Sequence, residues 1–210
     1  FYRRMLPPFS RHPEVGMAFC RHAFIDSQNR TTRVSHREKW FAGVLGAWLE
    51  RIATKQRVQC PAVLVPRSVY ESVGGYRTDL RYALDWEMWV RIAARYEVWY
   101  EPRVLARYRR HEENESTRLL NAGKIGHDVV NAIELIGAHL PAARRDHLLS
   151  EAYASFARKT LKRLQRDANT SKDINPLLEP VKIALGRITH HGQDAERLKA
   201  LLSQIEQTSS

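Results

Sequence analysis

An α/β sheet-and-helix part followed by an all-helical part is the architecture this sequence predicts, and two observations carry it. Up to about Glu112 the chain alternates apolar and aromatic runs of strand length with turn-rich breaks and short helical patterns. From Leu119 onward the β-branched runs thin out, and apolar residues recur at helical spacing in four successive segments. The 210 residues have room for one buried domain with an appendage, or for two small ones. The change of pattern divides them into 1–118 and 119–210.

Taken in order, Tyr2 to Ser10 reads as the end of a helix, and Pro13 opens a turn into "EVGMAFCRHAFID", a strand rich in apolar and aromatic residues. "DSQNRTT" (26–32) is a turn or loop. Between Arg37 and Gln56, residues Trp40, Phe41, Val44, Leu45, Trp48, Leu49 and Ile52 fall on one wide stripe, which predicts an amphipathic helix. "VQCPAVLVP" predicts a buried strand. "RSVYESVGG" predicts a short helix closed by Gly74 or Gly75, because a helix end often needs a residue at positive φ. Asp85 to Tyr96 is the next helix, with Asp85 placed to cap it, and Pro102 separates two strands, "EVWYEP" and "RVLARYRRH". Beyond Leu119, helices are expected over Lys124 to His139, Ala142 to Asp167, Pro176 to Ile188 and Asp194 to Gln207.

The net charge of +11 favours an anionic partner such as a nucleotide, a nucleic acid or an acidic membrane surface. Residues 1–58 hold 11 Lys/Arg against 4 Asp/Glu, so much of the excess sits in the first quarter. The longest apolar run, Phe41 to Leu49, is far short of the roughly 20 residues that cross a bilayer as a helix. Cys20 and Cys60 belong to no Cys-x-x-Cys pair, so neither a disulfide framework nor a structural metal site is expected, and a cytoplasmic setting fits. The chain opens on Phe1 without a secretory pattern and reads as one entered midway.

Several groups carry candidate chemistry. Asp85 precedes the apolar stripe Trp86, Trp89, Val90 and Ala93, so it serves either as a helix cap or as a catalytic carboxylate. Asp85 and Glu87 point to different sides of a helix and do not converge on one cation; Glu87 is instead spaced to pair with Arg91. In "ARYRRH", Arg107, Arg109 and His111 share one face of a strand, which suits either a phosphate or a charge-protected sheet edge. Arg158, Lys159, Lys162, Arg163 and Arg166 lie along one helix, and a solvated face is the simpler reading than a phosphate-binding one. His190 and His191 sit in a polar turn and receive no role.

Taken together, "VQCPAVLVPRSVYESVGGYRTDLRYALDWEMWVRIAARYEVWYEPRVLARYRRHEEN" resembles the second half of a family 2 glycosyltransferase domain of the GT-A fold. The signals occur in the family's order: strand, helix ending Gly74-Gly75-Tyr76, Leu84-Asp85-Trp86-Glu87, a helix bearing Arg91, and Tyr108-Arg109-Arg110-His111. The resemblance covers about the first 115 residues and implies a partial, incomplete Rossmann-like GT-A sheet, acceptor-side half, followed by a helical tail. It implies an inverting transfer of a sugar from a nucleotide-sugar donor to the hydroxyl of a carbohydrate or lipid-linked acceptor, in polysaccharide or glycoconjugate synthesis. Asp85 matches the family's general base, Arg109 and His111 match the residues near the donor diphosphate, and Trp86 and Glu87 match acceptor-side positions. A divalent metal, Mn or Mg, is expected in the complete enzyme. The base-binding aspartate and Asp-x-Asp motif have no counterpart here, so the isolated chain is expected to be inactive. The implied location is cytoplasmic, with peripheral contact at the inner face of the membrane. The alternative is a basic, non-catalytic module binding nucleic acid or an acidic surface. No zinc-finger spacing, aromatic RNA-binding signature or heptad seam supports the nucleic-acid form of it.

Overall fold

In a computed structural model, the apolar runs of the first part pair into a five-stranded mixed sheet, and the periodic segments form helices against it. The structure describes residues 1–111, Leu119, 125–168, 174–190 and 192–208. Two short helices, α1 (Tyr2–Met5) and α2 (Pro7–Arg11), lead into β1 (Val15–Ile25). Prolines are tolerated in the first turn of α2 because those N–H groups have no intrahelical acceptor. All but one of the residues of β1 are buried, so both of its faces are covered, which explains an apolar run without alternation.

The turn after β1 is held by Asp26, whose Oδ1 accepts the N–H groups of Gln28 and Arg30 at 2.9 Å each. It returns the chain as β2 (Thr31–Val34), antiparallel to β1. The expected long helix over 37–56 does not form. Gly43–Val44 is instead a strand, β3, and only Trp48–Ala53 is helical, as α3. Gly43 has φ +155° and Ala47 φ +50°, and the Leu45 N–H donates to Val98 O at 2.9 Å. Pairing with a distant strand satisfies backbone groups that the stripe alone would have placed in a helix, and Gly43 and Gly46 weaken the helical option. Trp48 is buried and stacked on Phe19 at 4.9 Å, whereas Trp40 and Phe41 are 75% and 78% exposed.

The expected strand over 58–66 is also shortened. Pro61, lacking an N–H, sits in a 3₁₀ turn, Cys60–Ala62, and only Val63–Leu64 pairs with β1, as β4. Helix α4 (Arg67–Val73) ends as the sequence predicts, with Gly74 at φ +88° donating its N–H to Tyr70 O. Helix α5 (Leu84–Ala93) follows, and then one continuous strand, β5 (Glu97–Arg109), instead of the two expected. Pro102 does not end it. The ladder with β1 skips from Cys20↔Glu101 to Arg21↔Val104, so Pro102 and Arg103 form a bulge, and Glu101 Oε1 accepts the Arg103 N–H at 3.0 Å. β5 is parallel to β1 and antiparallel to β3, giving the order β2-β1-β5-β3 with β4 beside β1.

The four expected helices of the second part are present as α6 (Ile125–Gly137), α7 (Arg145–Ala168), α8 (Asn175–Gly186) and α9 (Gly192–Thr208). Gly126 allows α6 and α8 to approach closely, since a Cβ there would lie 2.5 Å from Pro180 Cγ. One apolar cluster runs from Met17, Phe19, Trp86 and Trp89 to Ile133, Ile136, Leu161 and Leu164. Each such side chain, fully buried, contributes roughly 1.5–3 kcal/mol. The helices thus close the core that the sheet and α5 leave open.

Candidate active site at the start of the Asp85 helix

Asp85 is the second residue of α5, and Ala83, not Asp85, occupies the N-cap. The expected capping bond is therefore absent: Asp85 Oδ1 accepts the N–H of its neighbour Trp86 at 2.7 Å. Its Oδ2 faces the Cys60 thiol, with Sγ at 3.6 Å. Burial pushes the Asp85 pKa up to about 6, and the Trp86 N–H, the Cys60 thiol and the Gln56 side chain offset that only in part. Gln56 Oε1 is occupied by the N–H groups of Arg57 and Val58. Its Nε2 is buried and has no partner in hydrogen-bond geometry among the described residues. A carboxylate with a raised pKa beside the Gln56 amide suits an incoming hydroxyl, which needs both a proton acceptor and a hydrogen bond to its oxygen.

The helix that carries Asp85 is fixed from two sides. Trp86 turns inward and donates Nε1–H to Ile52 O at 2.7 Å, while Met88 and Trp89 are fully buried. From the helical segment, Asp128 accepts the N–H groups of Arg81, Tyr82 and Ala83 at 2.9, 2.8 and 2.7 Å. These are the residues just before α5, so a carboxylate 40-odd residues away does what a local N-cap would otherwise do. Tyr76, partly exposed, packs on Tyr70 (rings 5.9 Å apart) and edge-on to Trp89 (6.1 Å). Burial raises the Tyr76 pKa, its hydrogen bond with Tyr70 adds to that, and the charges of Tyr70, Cys60 and Asp85 contribute.

The other sequence-derived candidates are placed elsewhere. Trp86 is in the core, and Glu87, 1% exposed, is bound by Arg91 at 2.6 and 3.0 Å and faces His139 at 3.4 Å. Neither presents a face to an acceptor, while the Glu87–Arg91 pairing read from the spacing is present. Arg109 is directed at the β1–β2 turn, donating to Asp26 O, Ser27 O and Asn29 Oδ1 at 3.2, 3.3 and 2.7 Å. His111 is exposed at the end of the strand region, and His191 lies outside the described residues. Both cysteines are free; Cys20 is buried and Cys60 exposed. Gln56, Cys60, Tyr76 and Asp128 escaped the sequence reading because nothing local marks them: each reaches Asp85, or the loop before it, through the fold.

Among the described residues, no three His, Cys, Asp or Glu side chains form a group that holds a metal ion. The described residues supply no ligand set for the divalent cation expected in the complete enzyme. Two shallow recesses lie away from Asp85. One, of about 350 Å³, is lined by Arg3, Arg4, Pro7, Arg11, Ala42 and Trp99 among others, and one of about 240 Å³ by Arg21, Arg37, Glu38, Lys39 and Trp40. Compared with known proteins, the chain matches no family model and no curated protein.

Proposed function

We propose that this chain carries the acceptor-activating part of an inverting glycosyltransferase of GT-A type, with Asp85 as general base. The observation that carries the reading is the half-buried Asp85 carboxylate at the start of α5, which faces the Cys60 thiol and whose pKa is pushed up to about 6 by desolvation. At neutral pH it is mostly ionised, and its proton affinity is closer to neutrality than that of an ordinary aspartate, which is the condition for taking a hydroxyl proton as the oxygen attacks. In this reading the acceptor hydroxyl donates to Asp85 Oδ2, and Gln56 Nε2 donates to the same hydroxyl oxygen. The Tyr76 ring offers an apolar face to the acceptor. The Trp86 N–H and Cys60 thiol keep the carboxylate oriented in both protonation states. The donor's base is left to residues that this chain does not match. Asp85→Asn in the complete enzyme should lower turnover by about 10²-fold or more with donor binding unchanged. Unchanged turnover would remove Asp85 from the chemistry.

Peripheral contact with an anionic membrane face is supported by a separate observation. Trp40 and Phe41 project from the surface, the Arg37 guanidinium lies 4.3 Å from the Trp40 ring centroid, and Lys39 adjoins them. Tyr2 and Leu6, at the start of α1 and just after it, are exposed, and Arg3 and Arg4 between them line the recess that also touches Ala42. Aromatic side chains ringed by Lys and Arg suit the headgroup region of an acidic bilayer. No helix among the described residues is long and apolar enough to cross a membrane.

A further inference from the structure

A group of cations near Asp85 has no use in the chemistry above. The β1–β2 register sets Arg33 opposite Phe24, and the β1–β5 register sets Tyr108 beside it, with the two rings 5.7 Å apart. The guanidinium of Arg33 lies 4.4 Å from the Phe24 ring centroid and that of Arg110 4.7 Å from it, so one aromatic ring holds both. Helix α7 brings in Lys159 and Arg163, one turn apart and therefore on one side of the helix. Lys55 follows α3, which packs on α7.

Lys159 has the other four close enough for their charges to act on its ammonium group. Burial, followed by the charges of Lys55, Arg110, Arg33 and Arg163, lowers the Lys159 pKa, although its side chain is open to solvent. Tyr82 connects this group to the candidate active site, since the charges of Asp85, Arg110 and Arg163 all act on its hydroxyl. Arg163 Nε pairs with Asp167 at 2.9 Å, while its Nη1 is buried with no hydrogen-bond partner among the described residues. Asp167 is the one carboxylate in contact with the five, again among the described residues. Like charges gathered this closely repel, and a buried guanidinium N–H without an acceptor is costly, so the arrangement is relieved by a multivalent anion with several acceptor oxygens. Tetrahedral phosphate oxygens match guanidinium forks, and one or two phosphates carry enough charge to serve several cations.

We propose that Arg33, Lys55, Arg110, Lys159 and Arg163 form a binding site for a phosphate or diphosphate group, with the helical segment supplying two of the five cations. The site stands whether or not Asp85 is a base. Its ligand is the phosphate of a nucleotide or of a lipid-linked molecule, which share this chemistry.

The test is calorimetry of pyrophosphate with the full chain at low salt. Lys159→Gln and Arg110→Gln should each weaken binding by about tenfold or more, Lys159→Arg should retain it, and Arg3→Gln, in the distant recess, should leave it unchanged. Melting temperatures of the variants identify any that fail to fold, and for those the Lys159→Arg comparison stands in. Uridine diphosphate and phosphatidylcholine vesicles containing an isoprenyl phosphate then separate the sources: preference for either one supports the site and names its ligand. Absence of pyrophosphate binding at millimolar concentration overturns the proposal. So does binding by Lys159→Gln and Arg110→Gln as tight as that of the unaltered chain, or an equal loss in Arg3→Gln.

Discussion

Replacing Asp128 by Ala removes the acceptor of three backbone N–H groups at the entry to α5. The three bonds are not equal. Arg81 is exposed, so water replaces its lost partner, whereas Tyr82 is half-buried and Ala83 buried. Two donors left short of an acceptor cost about 1.5 kcal/mol each, or about 3 kcal/mol in all. A domain of this length loses roughly 2–4 °C per kcal/mol, so the melting temperature should fall by about 6–12 °C. Asp128→Asn keeps one acceptor oxygen without the charge and should lose about half as much. Hydrogen exchange provides the local readout: the amides of Tyr82 and Ala83 should lose protection in Asp128→Ala, while those of α9 keep theirs. If the Ala variant melts within about 1 °C of the unaltered protein and these two amides stay protected, Asp128 does not anchor the loop. The helical segment would then not position Asp85.

Asp85 should make stability fall as pH rises. Its folded pKa of about 6 lies above the ordinary 3.8, so between those values the folded state binds the extra proton. Asp85→Asn should consequently be more stable than the unaltered chain at pH 7, by at most roughly 3 kcal/mol, with the difference shrinking as pH falls and gone near about pH 3; a flat difference across that range refutes the raised pKa. Glu87 has the opposite sign. Burial works to raise its pKa, but the hydrogen bonds from His139 and Arg91 outweigh it and hold the pKa below 4.5. Glu87→Gln should cost about 3 kcal/mol at neutral pH by breaking a buried pair, and this cost should shrink as acid titrates the carboxylate below pH 4.5. Denaturant melts at several pH values check both. Trp40→Ser with Phe41→Ser should reduce co-sedimentation with acidic vesicles by about tenfold without changing the melting temperature. Equal sedimentation by the double variant, or binding to neutral vesicles as strong as to acidic ones, counts against the membrane face.

The sequence by itself determined the elements whose causes are local. The four helices after Leu119 follow their apolar spacing, α4 stops at Gly74 because its φ of +88° suits glycine, and Glu87 meets Arg91 one turn on. β1 is legible because an uninterrupted apolar run demands cover on both faces. Tertiary structure decided the rest. The stripe from Trp40 to Ile52 satisfies a helix, yet Gly43–Val44 bonds to Tyr100 and Trp99 of a strand more than 50 residues away. Pro102, a strand breaker by local rules, sits in a bulge of a continuous strand. Asp85 was visible as a carboxylate at a helix start, but its pKa depends on burial beside Cys60 and Gln56, and its backbone support on Asp128. Arg109 was visible as a cation on a strand, but not that the β1–β2 turn would claim its guanidinium. Periodicity and capping act over a few residues and are written along the chain. Desolvation, ion pairing and strand registry depend on which distant groups the folded core brings within a few ångströms.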